Sequence, residues 1–295
     1  MPQWNCNFTY SRRARAGDGD VVVRLQSSIA VSSGNGWVVF NASPDIRQQI
    51  AAASSLQPGP EGPLRTTPIK AVVLTNADID HIAGLLSLRE RQPLNIYATE
   101  RVLAVLDSNP VFRVLDPAYV RLVPLALERP AMIEGPDGRQ LMEVELYSVP
   151  GKVALFLESG ERDKDFDADE GDTVGVRITS GSGQTAHYIP GCAAVTQELK
   201  RRLDGAGLLF FDGTLFRDDE MSRAGVGDKT GQRMGHLAID GPEGSLAMLA
   251  DVALARRFYI HINNTNPILD ARSQERAKVV EAGWDVAFDG MEIEF

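Results

Sequence analysis

The chain carries four histidines, His81, His187, His236 and His261, so each can be weighed on its own. His81 and His261 stand at or just past the end of an apolar run, AVVLTNADIDH for one and FYIHINNTNP for the other. If those runs are strands of an open α/β sheet, that end is where ligands bind. Asp78 and Asp80 precede His81, giving Asn-x-Asp-x-Asp-His from Asn76. Neighbouring carboxylate and imidazole in a loop can face one metal ion, and that donor pair suits zinc, iron or manganese. A lone Asp-His pair is about as often a helix cap beside a solvated histidine. The second strand-end histidine and a further acid, Asp212 in GLLFFDGT, tip the reading towards a site. His236, in RMGHLA, reads equally as a buried hydrogen-bonded histidine or a site residue. His187 lies inside a short strand with no acid beside it and reads as structural.

Two stretches imitate binding motifs and fail on spacing. From Glu158 to Asp172 there are eight acids, with Asp163, Asp165, Asp167 and Asp169 alternating. A calcium loop starting at Asp163 needs glycine sixth and glutamate twelfth, where the chain has Ala168 and Val174. This stretch reads as a solvated loop between two strands. GVGDKTG (225–231) resembles the end of a phosphate-binding loop, but Asp228 separates glycine from lysine and no strand precedes it.

The elements that must position these residues are short. Strands are expected at 21–31, 36–41, 70–76, 94–99, 142–149, 152–158, 173–179, 186–190, 207–213, 257–263 and 284–290. Helical spacing occurs in PDIRQQIAAASSL, HIAGLLSLRER, TERVLAVLD, TQELKRRLDG, GSLAMLADVALARR and DARSQERAKVVEAG. Thr99, Thr196 and Asp270 are suited to cap N-termini, and Gly205 and Gly283 to end helices. Strands first, then strand–helix alternation, strands again and alternation once more point to a mixed α/β sandwich. No composition break marks a linker, so residues 1–295 read as one domain.

The 295 residues include 30 Lys+Arg and 40 Asp+Glu, a formal net charge of −10. An acidic chain tilts against general nucleic-acid binding, which needs a basic surface. No apolar run reaches the ~18–20 residues of a membrane span. The N-terminus has no apolar core of a secretory signal, so a cytoplasmic protein is expected. Cys6 and Cys192 are too few for a disulfide framework.

Asn76-x-Asp78-x-Asp80-His81 resembles a degenerate His-x-His-x-Asp-His signature of the metallo-β-lactamase fold. YIPG (188–191), LLFFDGTLF (208–216), GHL (235–237) and HIN (261–263) follow in the matching order. More narrowly, PQWNCN, QSSIAV (26–31), NASPDIRQQI (41–50), GLLSLRE (84–90), AGVG…TG…MGH (224–236) and HINNTNPIL (261–269) are similar to the coenzyme PQQ synthesis protein B family. The resemblance covers nearly the whole chain. It implies a four-layer αββα sandwich. The family's usual opening strand and Gly-rich turn before PQWNC are not in this sequence, which opens at Met1-Pro2-Gln3-Trp4; either the start is placed late or the strand is truly lacking, and in the second case unpaired backbone groups would lower stability. The family's Cys-x-Cys-x-x-Cys is reduced to Cys6, with Phe8 and Ser11 at the other positions, so no structural zinc is expected there.

The resemblance also implies a reduced metal pocket. Asn76 and Asp78 occupy the first two histidine positions, Cys192 replaces the usual bridging aspartate, and no histidine lies between His81 and His187. Asp80, His81 and His261 remain as metal ligands, with Asp78 as a further ligand or an orienting acceptor. Two histidines and one carboxylate match the donor set of non-haem iron oxygenases. Iron(II) is therefore expected, with zinc as the alternative. The implied activity is a hydroxylase of pyrroloquinoline quinone (PQQ) biosynthesis, placing oxygen on the tyrosine ring of a Glu-Tyr-derived precursor. Its partners are that peptide-derived substrate, O2 and the other PQQ biosynthesis proteins. His236 and Asp212 are expected as acid/base or supporting groups, and Arg233 as a partner for a substrate carboxylate, a surface arginine being equally expected. Two other readings stand beside this one: a soluble carrier moving PQQ or its precursor towards the periplasm, and a zinc hydrolase of the parent fold.

Overall fold

Runs rich in β-branched and aromatic residues become strands, and those apolar throughout become central ones. IKAVV and LNIYA are almost wholly buried along their length. The computed structural model describes residues 1–158 and 170–295. Asp163, Asp165, Asp167 and Asp169, of the run read as a solvated loop, lie outside the described residues. The chain divides into two compact units. An early unit takes Gln26–Ser148 and Val153–Thr185; a late unit takes Met1–Leu25, Val149–Lys152 and Ala186–Phe295.

In the early unit, β1 (Ile29–Ser32), β2 (Trp37–Phe40), β3 (Ile69–Val73), β4 (Leu94–Ala98) and β5 (Val120–Pro124) form one sheet in sequence order. β1 and β2 are antiparallel, and the later pairs are parallel. The helices Ile46–Ala52, Ile79–Ile82 and Glu100–Ser108 lie between these strands in sequence. Val39, Ile46, Val72, Leu74, Ile82, Leu85 and Ile96 make the centre of the core, all almost fully buried. β6 (Ala131–Glu134), β7 (Gln140–Ser148) and β8 (Val174–Thr179) form an antiparallel meander.

The late unit carries four parallel strands in the order β12-β11-β10-β9, where β9 is Thr185–Ile189, β10 Leu208–Asp212, β11 Arg257–Ile260 and β12 Asp285–Val286. Helices Gln197–Leu203 and Gln274–Glu281 supply the long crossovers that parallel pairing requires. Tyr259 on β11 stacks on Trp284 at 4.2 Å between ring centroids, and Phe211 on β10 meets the same indole edge-on at 6.4 Å. That aromatic group fixes β10 and β11 just before the residues that follow them.

Several expected elements came out differently. Of 21–31 only the last three residues are in a strand, which runs Ile29–Ser32. The Leu25 amide donates to the Asp289 carboxylate and the Gln26 amide to Asp45, so side chains take donors that a ladder would use. KVALFLE contains a 3-10 turn at Leu155–Leu157 instead of a strand. Thr99 and Thr196 do cap their helices, accepting from the amides of Val102 and Leu199. The last helix starts at Gln274 and is capped by Ser273, not Asp270, whose carboxylate pairs with Arg13 and accepts from the Arg272 amide. β5 and β6 lack the expected apolar pattern, being half exposed edge elements, and the short helix Thr9–Arg15 was likewise unforeseen.

Candidate metal centre and the histidine loops

In the early unit, the segment after β3 runs through Thr75, Asn76 and Asp78 into the helix Ile79–Ile82, which carries Asp80 and His81. His81 is 2% exposed. Its carbonyl accepts from the Ala42 amide at 2.7 Å, and the Gly84 amide donates to the Ala42 carbonyl at 2.8 Å. This close approach requires glycine: a Cβ on Gly84 would sit 2.1 Å from the Ser43 carbonyl oxygen. Asn41, at φ 62°, reaches across from the end of β2; its Oδ1 accepts from the Thr75 amide at 2.9 Å. The Asn76 Oδ1 lies 2.6 Å from His81 Nδ1 and accepts from the Asp78 amide at 3.0 Å. The Asp80 Oδ2 lies 3.9 Å from His81 Nε2. Asp78, Asp80 and His81 thus stand together on one turn, with the Nε2 side of the imidazole beside a half-exposed carboxylate.

In the late unit, Asp212 ends β10, Thr214 follows it, and His261 follows β11. Gly213 lets the two strand ends close up, since a Cβ there would meet Tyr259 Cβ at 2.8 Å. Asp212 is fully buried and takes four donors. Oδ1 accepts from the Thr214 amide at 3.0 Å and hydroxyl at 2.6 Å; Oδ2 accepts from the Cys192 amide at 3.0 Å and lies 2.7 Å from His236 Nδ1. Burial opposes the negative charge, yet the imidazoles of His236 and His261 and the Thr214 hydroxyl hold this carboxyl below its usual range. The Thr214 Oγ1 is also 2.8 Å from His261 Nδ1. With its one proton on Asp212, that oxygen accepts from His261. The two rings stack at 5.2 Å.

Ligating atoms of Asp212, His236 and His261 lie within 4.8 Å of one another, close enough to suggest a cation. Thr214 Oγ1 bonds to all three residues, however, so the cluster is a hydrogen-bond hub that aims the two imidazoles. Nδ1 of each ring is turned inward, which makes Nε2 the nitrogen suited to a metal or substrate. His261 itself has φ 59°, a left-handed backbone uncommon for a residue with a Cβ.

The late unit brings His236, Asp212 and His261 together, while Arg233 lies on the 3-10 turn just before Gly235, its amide donating to the Thr230 hydroxyl. His187 lies within β9, in register with Leu209, away from these loops in sequence and almost fully buried. The Cys192 thiol is pushed up to about 12, mainly by burial, and donates to the Ala194 carbonyl at 3.1 Å. Sequence reasoning missed Thr214, although the DGT triplet held the signal: a hydroxyl two residues past a strand-end acid. It also missed Lys152, whose side-chain carbons pack over Gly235 beside His236.

The beta-lactamase superfamily domain matches residues 36–262. The coenzyme PQQ synthesis protein B of Xanthomonas campestris pv. campestris is 51% identical over 293 residues, covering 99% of this chain and 95% of that protein. Its counterpart in Gluconacetobacter diazotrophicus is 50% identical over 295 residues with the same coverage. The chain belongs to the coenzyme PQQ synthesis protein B family. A solved family member, Zn(2+)-bound PqqB from Methylobacterium extorquens, superposes with a TM-score of 0.92 at 50% identity, covering 100% of this chain and 95% of that one. A diphosphatase from the PhnP family, at TM-score 0.67 and 19% identity, shares the fold. The fold is thus the metallo-β-lactamase α/β fold that the His81 motif pointed to. No helix among the described residues is long and apolar enough to cross a membrane.

Proposed function

We propose that this member of a PQQ synthesis family is an iron(II)-dependent hydroxylase that places oxygen on the tyrosine ring of a Glu-Tyr-derived precursor. Asp80, His81 and His261 are the proposed ligands, with Asp78 beside them, and residues 1–295 act as one domain; the family match runs through residues of both units. The observation that carries a single-metal reading is how the replaced positions are used. The Asn76 amide oxygen already engages His81 and the Asp78 amide, filling both its lone pairs. The Cys192 thiol is fully buried and turned to the Ala194 carbonyl, to which it donates. Neither is suited to hold a second cation. The donors fit one ion, since imidazoles presented by Nε2 with a carboxylate suit iron(II) or zinc.

When bound, iron would supply the redox chemistry that lets O2 react with an electron-rich phenol. The chain's own groups orient and move protons. Asp212 holds the His236 proton on Nδ1, so His236 Nε2 can accept a proton from the phenol and return it. Thr214 keeps His261 in the same orientation. Arg233 is proposed to pair with a substrate carboxylate. The other PQQ biosynthesis proteins would supply the precursor and take the product in the cytoplasm.

Zinc is the second reading for the metal, favoured by the Zn(2+)-bound relative at 50% identity. Anaerobic loading with iron(II), then Glu-Tyr, a two-electron reductant such as ascorbate to reduce the second oxygen atom to water, and isotopically labelled O2, separates the two. Label in the product at one oxygen per ring supports the hydroxylase. No label, with zinc-loaded protein cleaving a phosphodiester, overturns it in favour of hydrolysis.

A further inference from the structure

We infer that Asn76 is a positioning residue that keeps the proton of His81 on Nδ1 and so makes Nε2 the nitrogen this histidine offers to a metal. The Asp78 backbone amide can only donate, and it reaches the Asn76 side chain at 3.0 Å. Its partner there must be the amide oxygen, which fixes the orientation of the Asn76 carboxamide. The same oxygen lies 2.6 Å from His81 Nδ1, and an amide oxygen cannot donate, so Nδ1 carries the hydrogen. Thr75 Oγ1 also lies near Nδ1, at 3.5 Å, and it is bonded to Asn41 at 2.9 Å, so it competes weakly. The other end of the carboxamide, Nδ2, donates to Asp78 Oδ2 at 3.3 Å. One side chain therefore orients both an imidazole and a carboxylate, and starts the turn that carries them.

A neutral imidazole binds metal through the nitrogen opposite its N–H, and the group holding that N–H tunes affinity. Here that group is the uncharged amide of Asn76, five residues earlier in the chain, not a carboxylate. A residue at a position where the fold's signature has a ligand thus serves the ligand five residues on. The inference rests on the proposed function only for its consequence, metal binding; the placement of the proton stands on the hydrogen bonds alone.

The test is long-range nitrogen NMR of His81 in the metal-free full chain at pH 8, for wild type, Asn76→Leu and Asn76→Asp, followed by titration with Zn(II) alone. Wild type should show a protonated Nδ1 and a bare Nε2. Asn76→Asp, which keeps the acceptor, should retain that tautomer. Asn76→Leu should lose the preference and bind Zn(II) about 10- to 100-fold more weakly. A protonated Nε2 in wild type overturns the inference, even if the leucine variant does not fold; so does a leucine variant with tautomer and affinity unchanged. An intact wild-type tautomer in a protein that never incorporates oxygen overturns the proposed function and leaves the role of Asn76 standing.

Discussion

Asp212 accepts four hydrogen bonds with both oxygens, and no neutral replacement can do the same. In Asp212→Asn the new NH2 group faces either the Cys192 amide and His236, or the amide and hydroxyl of Thr214. Donor then meets donor, and His236 must rotate or move its proton to Nε2. Turnover of the precursor should fall by roughly 10²–10⁴-fold, the usual worth of a general acid or base. Far-ultraviolet circular dichroism should stay native, because the strands do not depend on the charge. A loss smaller than tenfold would remove His236 from proton transfer. The two cysteines give a second check at this scale. Cys192 is buried and its thiol is pushed up to about 12, whereas Cys6 is partly accessible. A disulfide reagent at pH 8 should therefore titrate one thiol in the native chain and both in denaturant. Rapid modification of both in native buffer would show that the loop around Cys192 opens readily.

Gly84 decides how the His81 helix meets the loop after β2. Its Cβ would lie 2.1 Å from the Ser43 carbonyl and 2.7 Å from the Ala42 carbonyl, and both are backbone atoms held by their own hydrogen bonds. Gly84→Ala should cost about 3 kcal/mol, the upper range for overpacking, and should weaken metal binding by moving His81. Gly59→Ala, with nothing within 4 Å of its Cβ, should change stability little. Urea midpoints of the two variants would decide; equal midpoints would mean the loop yields freely. The same contrast explains what was legible beforehand. β3, β4, β10 and β11 were readable because they are buried along most of their length and so carry predominantly apolar runs. β5 was not, because VRLVP is mostly exposed at the sheet edge and obeys no burial pattern. The strand expected at 152–158 failed since an apolar run that short fits a turn as well as a strand. At the site, ligand-type residues announce themselves by chemistry and position. Thr214 and Asn76 do not, because their importance comes from which neighbour they meet, and that contact exists only after folding.

Glu220 is one residue whose ionisation makes the stability of the chain depend on pH. It is 7% exposed, beginning the short helix Glu220–Arg223, and its oxygens accept from the Thr265 hydroxyl at 2.6 Å and the Phe216 amide at 2.8 Å. Burial pushes its carboxyl up to about 7, with those two hydrogen bonds and Arg217 resisting. The unfolded chain releases the same proton near the ordinary value of 4.5. Between these values the folded state holds a proton that the unfolded state has lost, so stability falls as pH rises from about 4.5 to 7 and then levels off. The full span corresponds to about 3 kcal/mol. Through Thr265 and Phe216, Glu220 also ties the loop after β11 to the loop after β10, and both donors favour its charged form, so the cost of ionisation lies in burial and not in these two bonds. Other acids in this chain of net charge −10 titrate too, which makes a single profile ambiguous. The difference between wild type and Glu220→Gln removes them, because the variant keeps every other group. Urea midpoints at pH 5, 6, 7 and 8 should show wild type losing about 2 kcal/mol relative to the glutamine variant across that range, with most of the change below pH 7. Parallel profiles from pH 5 to 8 would mean that Glu220 titrates in the folded chain as it does in the unfolded one.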